Sequence, residues 1–265
     1  MQHYVLISFP LNAYLITNGN IMAQRPFAII AGVGAGTGAA VARRFAKQYP
    51  VALLARSSKF ASGLVSQIEA DGGIAASFQA NVSDEESMNL AFDAIKEKFG
   101  TKCAAAIFNA SSRPFPKPFL WQSQDDLAYG LDISLTGAFL FAQAALPLLL
   151  SSTGSTEFVP TLIFTGATAA VKANAWMQPF TVSKHALRAL SQTLSREFEP
   201  QGVHVAHVII DGVIRMPLTR LLKLFSAWDA KLDPDAIAES YWHLHAQSTS
   251  SMTSEIAIRP FCETW

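Results

Sequence analysis

The feature that most constrains this chain is a glycine-rich turn set between an apolar run and a segment of helical period. Phe27 to Ala31 reads FAIIA, and Gly32-Val33-Gly34-Ala35-Gly36-Thr37-Gly38 follows at once. An apolar run of that length suits a central parallel strand covered on both faces. Glycines let the backbone turn tightly and approach a bulky anion, and a helix starting there aims its first N–H groups at the charge. A glycine cluster alone is only a tight turn. Between a strand and a helix it defines a pyrophosphate site formed by Gly32, Gly34, Gly36, Thr37 and Gly38.

The rest of the chain repeats the alternation of strand-length apolar runs with longer helical segments, which leads to a parallel sheet covered on both sides. Helix is expected over Ala39 to Tyr49, closed by Pro50, and strands over Val51 to Ala55, Ile74 to Gln79 and Ala104 to Phe108. Ser83 with Glu86 reads as a capping box for a helix ending at Phe99-Gly100. The prolines of Arg113 to Pro118 force a stiff loop, followed by a long helix from about Gln124 to Pro147. Strand Thr161 to Phe164, helix Thr181 to Phe198 and strand Val203 to Ile209 follow. Helices near Pro217 to Trp228 and Pro234 to His245 and a strand at Glu255 to Ile258 complete the pattern. The expected fold is α/β, one Rossmann-type doubly wound sheet of about seven strands spanning residues 26–265. Residues 1–25 read as an N-terminal extension without a basic n-region, and Pro10 and Asn18-Gly19-Asn20 interrupt its apolar runs, which disfavours a signal peptide.

Charge narrows the partners. Twenty Lys and Arg balance twenty Asp and Glu, so nothing draws the whole chain to nucleic acid or an acidic membrane surface, and a small molecule is the expected partner. No uninterrupted apolar window of membrane-spanning length is evident. Cys103 and Cys262 are far apart, which argues against a disulfide framework or structural zinc and fits a reducing cytoplasm. No metal site is expected, because His204 and His207 have opposite strand parity and His243 and His245 are two apart on a helix.

From Phe27 onward the sequence resembles the short-chain dehydrogenase/reductase family. Gly32, Gly36 and Gly38 match its Gly-x-x-x-Gly-x-Gly turn. Asn81-Val82 stands where an Asp-Val pair contacts adenine, and Asn109-Ala110-Ser111 where Asn-Asn-Ala-Gly is usual. Ser183-Lys184 matches the active-site lysine helix, and Asp211-Gly212 stands in place of a Pro-Gly turn before Val213 and Ile214, whose backbone would meet the nicotinamide carboxamide. The resemblance implies a homodimer or homotetramer paired through the long helices.

Cofactor choice turns on the end of the second strand. An acidic residue there would bond the ribose 2′-hydroxyl and repel a 2′-phosphate, but the chain reads Leu54-Ala55-Arg56-Ser57. Arg56 and Ser57 can instead hold a 2′-phosphate, which selects NADP(H).

In the family a tyrosine four residues before the lysine protonates the substrate oxygen, and the two share one helical face. Here that position is Phe180, with Lys184 retained. Counting back to the family serine reaches Ala167, flanked by Thr165 and Thr168, and Ser134 stands where an asparagine is usual. A positioned acid contributes about 10²–10⁴-fold in rate, so ordinary ketone reduction by the usual route is disfavoured. Three readings stay open: an NADPH-dependent oxidoreductase for a small, largely apolar carbonyl or imine, with Thr168, Thr165, Ser134 or water as acid; a non-redox isomerase or cyclase using a cleft lined by Phe115, Phe119, Trp121 and Trp176; and a non-catalytic NADP(H)-binding protein.

Overall fold

A computed structural model describes residues 25–220 and 231–261. Seven strands, β1 (Phe27–Ala31), β2 (Val51–Ala55), β3 (Ala75–Gln79), β4 (Cys103–Phe108), β5 (Thr161–Thr165), β6 (His204–Ile210) and β7 (Glu255–Ile258), form one sheet. Its order is β3-β2-β1-β4-β5-β6-β7 and every pair is parallel. The chain winds outward from β1 to β3 and then returns to β4 on the other side. The crossovers therefore diverge between β1 and β4 and leave a crevice beyond the carboxyl ends of those strands.

The helices are α1 (Thr37–Ala46), α2 (Ser58–Ala70), α3 (Glu85–Phe99), α4 (Gln124–Leu131), α5 (Gly137–Leu150), α6 (Gln178–Phe198), α7 (Pro217–Arg220) and α8 (Pro234–His245). Strand parity decides which face each residue serves. Ile30, Leu53 and Ile107 point into a core shared with Val41 and Phe45 of α1, Leu64 of α2 and Tyr241 of α8. Ile29, Leu54 and Phe108 point the other way, onto Phe92 of α3, Phe141 of α5 and Leu187 of α6. Each such Leu, Ile or Phe contributes about 1.5–3 kcal/mol on burial.

Several boundaries differ from expectation for identifiable reasons. The N-cap of α3 is Asp84, whose carboxylate accepts from Ser87 N at 2.6 Å, while Ser83 donates to the Asn81 side chain at 3.1 Å. The charged acceptor takes the cap in place of the Ser83 and Glu86 box. Pro147 does not end its helix, because the buried Leu148 and Leu149 hold one more turn against the core. The Ser151 and Ser152 hydroxyls close that turn on the Leu148 carbonyl, at 2.9 and 2.7 Å. Helix α6 starts at Gln178 with Pro179 in its first turn, where a missing N–H is harmless, so Phe180 is helical. Between α4 and α5 lies a π-helical segment, Asp132–Thr136.

By length and composition the run Gln124–Leu150 could cross a membrane; half of its most apolar window is buried inside the protein. The expected N-terminal extension, apart from Arg25, lies outside the described residues. So do Cys262 and the helix expected beyond Arg220.

Candidate active site

The glycine turn occupies the switch point and is held by its neighbours. Gly32 N donates to Leu54 O at 3.0 Å, Asn109 N donates to Ala31 O at 2.8 Å, and the Asn109 side-chain amide donates to Gly32 O at 2.9 Å. Gly32 has φ +86°, and a Cβ there would lie 2.3 Å from Ala110 N. At Gly38 a Cβ would lie 2.5 Å from Gly32 O, whereas Gly34 faces open space and Gly36 lies under the Met216 side chain. Helix α1 starts at Thr37 with no side-chain cap and no acidic residue in its first turn. The Thr37 hydroxyl is buried with no hydrogen-bond partner among the described residues. An uncapped helix start, a backbone cradle and an orphaned hydroxyl fit a phosphate group.

Around this turn stand the other expected cofactor residues. Arg56 and Ser57 are exposed at the end of β2, and Ser57 caps α2 without spending its hydroxyl on it. Asn81 is exposed, and its N–H is taken by the Ser87 hydroxyl at 3.0 Å. Val82 is buried against Gly137, where a Cβ would lie 2.9 Å from its methyl. Gly212, at φ 151°, opens the segment after β6. Ile214 bridges to Leu232, and Val213 O accepts from Leu232 N at 2.9 Å. The expected backbone contact of this segment with a carboxamide therefore competes with the Leu232 pairing at the Val213 carbonyl.

The lysine lies deeper. Lys184 is 2% exposed and donates to Thr165 O at 2.9 Å, at the carboxyl end of β5. The Phe180 ring is one turn away, its centroid 5.9 Å from Nζ, so the two do share a helical face. Burial pulls the lysine down to about 8.

The hydroxyls nominated as acids are all engaged. Thr165 pairs with Tyr241 OH at 2.8 Å on the α8 side of the sheet. Thr168 donates to Asp211 at 2.7 Å, and Arg259 lies 3.6 Å from the other Asp211 oxygen. Ser134 is fully buried in the π-helical segment and pairs with the Ser112 hydroxyl at 3.3 Å and its N–H at 3.2 Å.

Two groupings escaped the sequence reading. One is Thr165 with Tyr241. The other is His207 bonded to Glu255 at 2.9 Å, with Arg188 gripping both oxygens of Glu255 at 2.7 Å each. The spacing Ile237, Ala238, Tyr241, Leu244, His245 marks the buried stripe of α8, but no local pattern names the strand a stripe residue meets.

Phe115, Phe119, Trp121 and Trp176 are 58–73% exposed, so none is core packing. Trp176 has φ +68°, a conformation rare outside glycine, and its carbonyl accepts from Lys117 N at 3.0 Å. Lys117 also pairs with Asp126 at 2.6 Å, and Gln122 ties Lys117 O to Gln178, at 2.7 and 2.6 Å. These bonds brace the proline-rich loop against the start of α6.

A parallel sheet with a glycine-bound anion cradle at its switch point defines a dinucleotide-binding α/β protein. The chain belongs to the short-chain dehydrogenases, whose family model matches residues 26–223. It is 31% identical over 194 residues to the 2,5-dichloro-2,5-cyclohexadiene-1,4-diol dehydrogenase LinX of Sphingobium indicum, covering 72% of this chain and 74% of that protein. It is 28% identical over 245 residues to an A-factor type γ-butyrolactone 1′-reductase of Streptomyces virginiae, covering 87% and 92%. Among solved structures, a short-chain dehydrogenase from Rhodopseudomonas palustris superposes with TM-score 0.73 at 26% identity, covering 89% of this chain and 98% of that one. An alcohol dehydrogenase from Thermococcus sibiricus, complexed with 5-hydroxy-NADP, superposes with TM-score 0.78 over 90% and 98%. At 21% identity the latter likeness is one of fold.

Proposed function

We propose that the protein is an NADP(H)-dependent oxidoreductase with a degenerate catalytic tetrad, acting on a small, largely apolar carbonyl or imine. The observation that carries this reading is Lys184, buried below the carboxyl end of β5 on one face with Phe180. A buried ammonium is costly to keep, and a lysine without a carboxylate partner among the described residues is more consistent with a ligand-facing role than with a structural one.

Gly32, Gly34, Gly36, Thr37 and Gly38 would hold the pyrophosphate, Arg56 and Ser57 the 2′-phosphate, and Asn81, Val82, Asn109 and Ala110 the adenosine side and the floor. Lys184, Gly212 and Ile214 would meet the nicotinamide half. When bound, NADPH supplies the hydride. The 5-hydroxy-NADP in the Thermococcus sibiricus structure and the NADP in a metagenomic short-chain oxidoreductase structure support the same cofactor. The exposed Phe115, Phe119, Trp121 and Trp176 would offer an apolar rim to the substrate.

Pairing of two copies through α5 and α6 would cover Phe139 and Val182, both 47% exposed. The test of the whole reading is NADPH binding, followed by fluorescence, and NADPH oxidation across a panel of carbonyls and imines. Binding with NADPH preferred over NADH and oxidation by at least one acceptor class are expected. Absence of oxidation across both classes would leave a binding protein.

A further inference from the structure

Resting on that reading, we propose that Lys184 itself is the proton donor in carbonyl reduction, the role that the residue at position 180 cannot fill. An ammonium carries three N–H donors, and here one goes to Thr165 O while among the described residues no carboxylate lies against the other two. The hydroxyls are engaged: Thr165 with Tyr241, Thr168 on Asp211, Ser134 within the Ser112 pair, and Ser183 on Phe180 O at 2.9 Å. His207 Nε2 is buried with no partner among the described residues, but Nδ1 donates to the Glu255 carboxylate that Arg188 holds, and the neutral ring that burial favours has no proton left on Nε2. The Thr181 hydroxyl is buried and has no partner among the described residues. It sits one residue past Phe180, about 100° around the helix from the Phe180 and Lys184 face, and an alcohol is a far weaker acid than an ammonium. Phe180 places only ring carbons over the lysine, so the side chain at that position offers no hydroxyl to compete with Nζ.

The step balances. With NADPH bound to supply hydride to the substrate carbon, the C=O π pair would move to oxygen, one Lys184 N–H bond would break and the O–H bond would form. Lys184 is left as a neutral amine, which takes a proton from water before the next turnover. Burial supplies the matching acidity, since a lysine near 8 is protonated at neutral pH yet gives its proton up readily. The charged groups around it are His207 on β6, which feels the Lys184 charge, with Glu255 on β7 and Arg188 on α6 behind His207. Asp211 lies after β6 and is engaged by Thr168 and Arg259.

Two measurements test this. Protein carrying 13Cε-labelled lysine should show one resonance titrating near 8 that is missing from Lys184→Met; titration near the ordinary 10.5 would overturn the proposal. Single-turnover ketone reduction at saturating NADPH should fall as pH rises through that midpoint, and Lys184→Met should lower it by about 10²–10⁴-fold. Lys184→Arg keeps the charge but cannot release a proton, so it should stay as slow as Lys184→Met; recovery to the wild-type rate would overturn the proposal, showing a charge-positioning role. Phe180→Tyr should speed ketone reduction and move the falling limb. A flat pH profile, or tolerance of Lys184→Met with loss in Thr181→Val, would also overturn it while hydride transfer stands. Failure of wild type and Phe180→Tyr to oxidise bound NADPH with any acceptor would instead remove the oxidoreductase reading, and this proposal with it.

Discussion

The Asn109 side-chain amide donates to the Gly32 carbonyl at 2.9 Å, so the end of β4 pins the turn that follows β1. That carbonyl is also the atom a Gly38 side chain would strike, at 2.5 Å. One oxygen therefore couples the strand, the turn and the start of α1. Asn109→Ala should lower stability by about 1 kcal/mol, the usual worth of one such bond. Gly38→Ala must push backbone against backbone. It should cost about 1–3 kcal/mol and weaken NADPH binding at least about tenfold, equivalent to 1.4 kcal/mol. Urea unfolding and NADPH fluorescence titration measure the two effects separately, and Gly38→Ala binding as tightly as wild type would contradict the assignment of the turn.

What the sequence made legible follows from the range of the forces involved. The apolar runs name all seven strands, because burial on both faces leaves the central ones largely apolar, with only Thr161, Thr165, His204 and His207 as polar exceptions in β5 and β6, and the glycine turn follows directly from the run Phe27–Ala31. The face shared by Phe180 and Lys184 is legible from helical spacing alone. The start of α3 is not legible from pattern, because Ser83 and Asp84 compete as acceptors and the outcome depends on a side-chain geometry that a pattern does not carry. The destinations of Thr165, Thr168 and Ser134 were illegible for a different reason: their partners Tyr241, Asp211 and Ser112 are 76, 43 and 22 residues away.

The 2.7 Å bond from Thr168 to Asp211 ties the segment after β5 to the one after β6. Asp211 is 4% exposed, its second oxygen lies 3.6 Å from Arg259, and its own N–H donates to Ile258 O at 2.8 Å. Thr168→Val should therefore destabilise the fold by about 1–3 kcal/mol by leaving a buried carboxylate oxygen short of a donor. Asp211→Pro, which installs the residue usual in the family turn, should also destabilise it, because proline cannot donate to Ile258 and leaves Arg259 without this carboxylate. Thermal and urea unfolding of the two variants check this. A stabilising Asp211→Pro would show that the β6–β7 bond contributes little.

Arg56 stands exposed at the end of β2, beside the strand that leads into the glycine turn. If it holds the 2′-phosphate, Arg56→Glu replaces attraction by repulsion there and removes the donor fork. NADPH binding should weaken by about 10–100-fold, that is about 1.4–2.8 kcal/mol, while NADH binding changes little or improves. Added salt should weaken wild-type NADPH binding more than NADH binding, since an exposed pair is screened. Equal losses for both cofactors would place Arg56 away from the phosphate.

His245 is fully buried between Tyr49 OH, at 2.9 Å from Nε2, and the Thr161 hydroxyl, at 3.0 Å from Nδ1. Burial pulls it down to about 3 from an ordinary 6.5. The folded state thus keeps this ring neutral over a range where the unfolded chain binds a proton. Since stability rises with pH wherever the unfolded state holds more protons, it must fall as pH drops below about 6.5, by roughly 1.4 kcal/mol per pH unit for this one group. His204 and His207 are lowered by burial too and add loss in the same direction. Glu255 acts lower on the scale: Arg188 holds its carboxyl below the ordinary 4.5, so its contribution is present above that value and is lost as pH falls through the depressed one. Urea unfolding at several pH values below neutrality should show the decline starting near 6.5, well before carboxylates titrate. His245→Gln should reduce the slope by about one proton, because glutamine has nothing to protonate. An unchanged slope in that variant would mean that the ring accepts a proton inside the fold, and that the Tyr49 and Thr161 hydroxyls rotate to accept from both of its nitrogens.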